Sequence, residues 1–382
     1  MLPVRPELVG QEPYGAPQLD VPVRLNVNEN PFPLPPVVVD AVTEATRGLA
    51  SGLNRYPERD AVDLRRRLAG YLGHGLDERH IWAANGSNEV MTHLLQAFAG
   101  PGRRVLTFTP TYSMYPEYAR NTWSDYVTLP RCEDFSIDLD AFEAAVGQEM
   151  PHVVIVTTPN NPTGTATPLE VIARILEITE NGEASAMVIV DEAYQEFARP
   201  GTASALDLLE DNPRLVVTRT MSKAFGFAGG RLGYLAAAPE VVDVCRVVRL
   251  PYHLSAVTQA VASAAVDHAD VLMGQVAELR AQRDRMEAEL RGMGLEVAES
   301  DANFVLFGRF EDRHAVWADL LERGVLIREV GPPGWLRASA GTPEETDAFL
   351  RAMSEIVPDA VLMDTAVMTD EAAAAQVNRS NA

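Results

Sequence analysis

The chain has 382 residues, 47% of them apolar. That is enough for two packed units, since single hydrophobic cores stop growing at roughly 250–300 residues. Its 54 acidic side chains against 32 basic ones give a formal charge of −22, which argues against nucleic acid and anionic membrane as partners.

Along residues 1–36, prolines from Pro3 to Pro36 recur too often for a helix, so this segment reads as an extended N-terminal arm. The start lacks the apolar centre of a signal peptide, and no run of about 18 apolar residues follows anywhere. A soluble, cytoplasmic protein is expected. Helical spacing of apolar residues appears at Val37–Leu49 and Arg59–Leu72, on either side of the turn Asn54-Arg-Tyr-Pro57. Apolar strands are then predicted at Arg104–Phe108, Val153–Thr157, Met187–Val190, Leu215–Thr218 and Leu232–Ala236, with a helix over Pro168–Glu180. Runs that are apolar throughout suit a parallel sheet covered on both faces. The reading is an α/β fold: residues 37–255 form a large domain around a mostly parallel central sheet, with 37–50 also placed to pack against the smaller domain. Residues 256–358 form that smaller α+β domain, in which Val276, Leu279, Met286 and Leu290 share a helix face and Gly292 with Gly294 supplies the stop. A strand at Asn303–Phe307, a helix near Arg313–Arg323, and strands at Val325–Arg328 and Leu336–Ala340 complete it. Residues 359–382 read as a flexible tail. Cys132 and Cys245 make neither a C-x-x-C pair nor a disulfide framework and read as buried thiols. The seven histidines lack ligand spacing, so His93 reads as a packed or surface residue and no metal is expected.

Lys223 is the only lysine; every other cation among the 32 is arginine. An arginine cannot lose its proton in a protein or form a carbonyl imine, whereas a desolvated lysine amine can do both. By count alone Lys223 is equally well a surface residue, and its neighbours decide. Gly226, Gly229, Gly230 and Gly233 allow close backbone approach, while Ser222 and Arg231 offer a hydroxyl and a bidentate cation for phosphate. Neither a P-loop nor G-x-G-x-x-G is present, and a Ser–Lys hydrolase dyad explains none of the other motifs. Asp191 ends an apolar strand, where open α/β sheets bind ligands, and a carboxylate there suits the protonated ring nitrogen of pyridoxal 5′-phosphate. A helix N-cap is the plainer alternative. Thr157-Thr-Pro-Asn-Asn-Pro-Thr-Gly164 ends another strand in a rigid turn, with Asn161 able to donate to a phenolic oxygen. Asn85-Gly-Ser-Asn-Glu89 opens a helix whose free N–H groups make a phosphate seat.

These stretches resemble the fold type I pyridoxal-phosphate aminotransferases, most closely the histidinol-phosphate aminotransferases, from about Tyr14 to Glu355. The resemblance rests on Leu25-Asn-Val-Asn-Glu-Asn-Pro31, Arg55-Tyr-Pro57, Asn85-Gly-Ser-Asn-Glu89, Pro110-Thr-Tyr112, Asn160-Asn-Pro-Thr-Gly164, Asp191-Glu-Ala-Tyr194, Ser222-Lys223, Arg231 and Trp335-Leu-Arg-Ala-Ser-Ala-Gly341, in that order. It implies that Lys223 holds the cofactor as a Schiff base, that Asp191 partners its ring nitrogen, and that Tyr194 and Asn161 donate to its O3′. By the same resemblance Tyr112 stacks on the ring, Ser87, Asn88, Ser222 and Arg231 clamp the phosphate, and Tyr56 reaches the phosphate of a neighbouring subunit in a homodimer. Arg337 and Arg328 resemble the arginines that hold substrate anions, and Tyr14 with Asn28–Asn30 resembles the arm lining the substrate site. Gly230 departs from the pattern, since relatives often carry a larger residue there.

The implied reaction is transamination of L-histidinol phosphate with 2-oxoglutarate, giving imidazole acetol phosphate and glutamate in histidine biosynthesis. Lys223 serves as anchor and then as general base. An aromatic amino acid aminotransferase and a pyridoxal-phosphate-dependent decarboxylase of a phospho-amino acid share most of these motifs and stay open. So, from another class, does a catalytically idle cofactor-binding module.

Overall fold

The computed structural model describes residues 2–13, 15–181 and 185–363. Tyr14 and most of the expected tail, from Asp364 on, lie outside the described residues.

A seven-stranded sheet forms the centre, in the spatial order Ile81–Ala84, Gly233–Ala237, Leu215–Thr220, Met187–Asp191, Val153–Thr157, Arg104–Thr109 and Asp125–Pro130. The last five run parallel, and Gly233–Ala237 is antiparallel to both its neighbours. Successive side chains of a strand point to opposite faces, so each central strand needs two apolar sets. Val154, Val156, Val188 and Val190 pack with Ile172 and Ile175 of the helix Leu169–Asn181. Val153, Ile155, Ile189 and Val216 pack on the other side with Val90 and Leu94 of the helix Ser87–Phe98. The mostly parallel α/β architecture expected from the apolar runs is the one observed.

Beyond the central sheet, the helix Ala269–Gly292 and the helix Pro343–Ile356 cover a three-stranded antiparallel sheet of Trp335–Ser339, Phe304–Gly308 and Glu296–Val297. The N-terminal segment joins this part of the molecule: Val23–Arg24 pairs in parallel with Val325–Leu326. Ser339 donates its N–H to the Leu25 carbonyl at 2.9 Å, and the Asn303 amide donates to the Asn28 carbonyl at 3.1 Å. These bonds hold residues 26–29 over the carboxyl ends of the central strands.

Several expectations need correction. The helix expected from Arg59 starts at Val62, because Ala61 takes a left-handed φ of 48° and the Glu58 carboxylate accepts the N–H groups of Asp60 and Val62. The strand expected to reach Arg328 ends at Leu326, and Arg328 keeps only a bridge to Arg337. Cys132 is exposed rather than buried, lying just past the end of the edge strand Asp125–Pro130; Cys245 is buried. The stop after the long helix belongs to Gly294, at φ 87°, while Gly292 is still helical. His93 is packed in the core, accepting a hydrogen bond from the Trp82 indole at 3.1 Å.

Candidate active site

Parallel strands deliver their last residues to one edge of the sheet, where the backbone fans out and leaves a crevice. Thr157, Asp191 and Thr220 stand at three such ends, and with the loops that follow they wall a cavity of about 220 Å³. From the loop after Thr220 come Ser222, Lys223 and Arg231, and from the helix start after Ile81–Ala84 come Ser87 and Asn88. Tyr112, Asn161, Tyr194 and Asn28 close other sides, and Arg328 and the buried Arg337 also line the cavity. All these residues singled out in the sequence are thus brought together. Tyr56 is not: its ring is 80% exposed and stacks on Tyr252 with centroids 4.4 Å apart, away from this cavity.

Lys223 donates its ammonium to the Val27 carbonyl at 3.0 Å. Burial, reinforced by Arg337 and more weakly by Arg231 and opposed by Glu29, lowers its amine to about 8. A neutral, nucleophilic amine is therefore accessible near neutral pH.

Asp191 is buried, and burial pushes its carboxyl above the ordinary carboxylate range. Hydrogen bonds oppose that shift: Oδ2 accepts from the Tyr115 hydroxyl at 2.8 Å and Oδ1 from the Thr218 hydroxyl at 3.1 Å. Each carboxylate oxygen can accept more than one bond, so room is left for a further donor from the cavity. The neighbouring Glu192 forms a buried ion pair with Arg219, at 2.6 Å, and Arg219 also reaches Glu196 at 3.0 Å. This cluster pins the loop that carries Tyr194, whose hydroxyl accepts the Asn28 amide at 3.0 Å. Arg337 is likewise fixed, donating to Asn161 Oδ1 at 2.5 Å and to the Asn26 carbonyl at 2.9 Å.

The anion seat is built by close approach. A Cβ on Gly233 would lie 2.1 Å from the Ser87 nitrogen, so only glycine lets that strand touch the helix start. A Cβ on Gly86, itself at φ 81°, would lie 2.6 Å from the Arg231 guanidinium. The first N–H groups of the helix Ser87–Phe98 lack intrahelical acceptors and share the spot with Ser222 and Arg231. Gly230 sits with its missing Cβ 2.9 Å from the Phe227 ring, so here the ring occupies the space a larger residue would take, and Arg231 still faces the cavity.

Three features thus suit a phosphorylated pyridine aldehyde: an amine of lowered pKa, a carboxylate with acceptor capacity to spare, and an anion seat. Glu29, within the Asn28–Asn30 stretch expected to line the site, is on the wall, whereas the sequence reading missed Asn26, Val27, Thr157 and Thr220 there, and Tyr115 and Thr218 behind Asp191. Among the described residues no group of His, Cys, Asp and Glu is placed to hold a metal, and no helix is long and apolar enough to cross a membrane.

Comparison with known proteins agrees with this geometry. Residues 21–353 match the family model "Aminotransferase class I and II". A histidinol-phosphate aminotransferase of Thermobifida fusca is 57% identical over 92% of this chain and 95% of that protein, and one of Streptomyces avermitilis is 58% identical over 93% and 96%. A crystal structure of histidinol-phosphate aminotransferase from Sinorhizobium meliloti in complex with pyridoxal 5′-phosphate superposes with a TM-score of 0.79 at 26% identity, covering 89% of this chain and 92% of that one. An aspartate aminotransferase mutant of Thermus thermophilus, 23% identical, shares the fold with a TM-score of 0.78 over 93% of this chain and 99% of that one.

Proposed function

The chain belongs to the class I and II aminotransferases, and from that premise we propose that it transfers the amino group of L-histidinol phosphate to 2-oxoglutarate, with pyridoxal 5′-phosphate as cofactor. The products are imidazole acetol phosphate and glutamate, and the reaction serves histidine biosynthesis. The observation that carries the reading is the single lysine, its amine lowered to about 8, on the same cavity as the Asp191 carboxylate and the Gly86–Arg231 anion seat. The identity of 57% to a relative of that name supports the choice of substrate.

Bound there, the cofactor supplies an aldehyde that captures amines and a protonated ring that withdraws electrons. Lys223 would hold it through its amine, and that amine, when free, would take the proton from the substrate Cα. Asp191 would hold the ring-nitrogen proton, Asn161 and Tyr194 would donate to O3′, and Tyr112 would cover the ring face. Ser87, Asn88, Ser222 and Arg231 bind the phosphate. Arg328 and Arg337 meet the anionic end of either substrate, a planar fork being suited to carboxylate and phosphate alike. Asn28, through its bond to the Tyr194 hydroxyl, lines the substrate side.

A homodimer completes the site in this proposal. Tyr56 and Tyr252, with Val247 81% and Leu250 76% exposed, present rings and aliphatic side chains suited to a second copy, which would receive Tyr56 at its phosphate seat. A cytoplasmic location belongs to the same reading.

Borohydride reduction of the cofactor-loaded protein should leave a phosphopyridoxyl group on Lys223, found by peptide mass spectrometry, and Lys223→Arg should lose both the adduct and turnover. Glutamate should form from 2-oxoglutarate with histidinol phosphate far faster than with phenylalanine, without release of carbon dioxide. Preference for phenylalanine, or carbon dioxide release, would move the chain to one of the rival reactions; no turnover with any amine would leave a binding module.

A further inference from the structure

We infer that Tyr115 is a positioning residue for Asp191: its hydroxyl, fixed by Thr157 and Thr111, keeps the carboxylate charged and helps set how firmly the cofactor's ring nitrogen holds its proton. The inference rests on the proposal that Asp191 partners that nitrogen.

Among the described residues no arginine, lysine or histidine lies within ion-pair distance of Asp191, although it is buried. Neutral donors support it, the Tyr115 hydroxyl on one oxygen, the Thr218 hydroxyl on the other, and the backbone N–H of Ala193. A buried carboxylate without a cation of its own keeps its strongest interaction for one that arrives, and a protonated pyridine is such a cation.

The direction of the hydrogen bonds follows from counting protons. Tyr115 is wholly buried, and its hydroxyl touches both Asp191 Oδ2, at 2.8 Å, and Thr157 Oγ1, at 2.7 Å. A carboxylate can only accept, so the one phenolic proton goes to Asp191 and Thr157 must donate to Tyr115. Thr157 then has an oxygen free to accept from Thr111, 3.2 Å away. Thr111, Thr157 and Tyr115 thus form a row of donors all aimed at the carboxylate, each strengthening the next. The Tyr115 ring also stands edge-on to Tyr112, centroids 5.6 Å apart at 87°, so one side chain braces both the carboxylate and the ring proposed to cover the cofactor.

Removing the donor favours the neutral acid, so the proton shared between ring nitrogen and carboxylate shifts toward Asp191. The test is nitrogen-15 NMR of the holoenzyme reconstituted with pyridoxal 5′-phosphate labelled at the ring nitrogen. Tyr115→Phe should move the ring-nitrogen signal toward its unprotonated position, a shift on the order of tenfold in the proton equilibrium. Thr157→Val should move it less in the same direction, and decides the matter if Tyr115→Phe does not fold. Thr107→Val is the control: its buried hydroxyl bonds only the Ile155 carbonyl, and the signal should stay. Asp191→Asn separates the two layers. If it shifts the signal and the Tyr115 and Thr157 variants do not, the role of Tyr115 is overturned and that of Asp191 stands; if Asp191→Asn leaves the signal unmoved, the assignment of Asp191 falls and this inference with it.

Discussion

Lys223 has to be held in a folded site yet reach a neutral state, and its surroundings act in that direction. Burial, with Arg337 the stronger of two repelling cations, lowers the amine from the usual lysine range to about 8. The folded value lies below the unfolded one, so the neutral form favoured by the fold is lost as pH falls through about 8. The rate at which cofactor-free protein captures pyridoxal 5′-phosphate should therefore rise with pH and level off above about 8. Stopped-flow absorbance across pH 6–10 checks it, and a rise that continues toward the ordinary lysine range would refute the lowered value. Asp191 poses the opposite problem, a charge kept in a place that disfavours it. Asp191→Asn keeps the shape but removes the charge and turns one of the two acceptor oxygens that Tyr115 and Thr218 bond into a donor, and the cofactor, still held by Lys223 and the anion seat, should continue to bind. Turnover should fall on the order of a hundredfold to a thousandfold, as when one preorganised electrostatic contact is lost. Equilibrium binding and steady-state rates measured on the same preparation separate the two effects.

The elements explain how these groups meet. Gly233 opens the strand Gly233–Ala237 against the start of the helix Ser87–Phe98, at a distance no Cβ tolerates. Gly233→Ala should push that helix start away from Arg231, weakening cofactor affinity by roughly tenfold and stability by about 1–3 kcal/mol. Gly229→Ala, with open space around it, should do neither. Cofactor titration and thermal unfolding report the two quantities.

Which elements the sequence disclosed depended on how much local signal they carry. Val153–Thr157 and Met187–Asp191 are flanked on both sides in the sheet, so they read as unbroken apolar runs. Asp125–Pro130 lies at the sheet edge with half-open faces and a terminal proline, and Ile81–Ala84 spans only 4 residues, so neither announces itself. The antiparallel course of Gly233–Ala237 is a matter of topology that no local pattern encodes. The same holds within the site. Lys223, Asp191 and Asn161 stand in recognisable motifs, whereas Thr218 and Tyr115 reach Asp191 from 27 and 76 residues away and carry no mark of their own. The pairing of Asn28 with Tyr194, 166 residues apart, is equally a product of the fold.

At the scale of the whole molecule a charge of −22 opposes anionic substrates, so the attraction has to be local. Arg231, Arg328 and Arg337 concentrate on one cavity, and the proposed second subunit would close it with Tyr56. Two-fold symmetry makes that exchange testable, because each subunit would give its Tyr56 to the other and keep its own Lys223. In a dimer that combines a Lys223→Ala subunit with a Tyr56→Ala subunit, one site lacks both groups and the other has both. Equal mixing makes half the dimers mixed, each with one complete site of two, so roughly a quarter of the wild-type rate should return. If Tyr56 served its own subunit's site, every mixed dimer would carry one defect per site, and the mixture would show only the average of its two parents. Unfolding and refolding the two variants together, followed by assay against each variant treated alone, distinguishes the two arrangements.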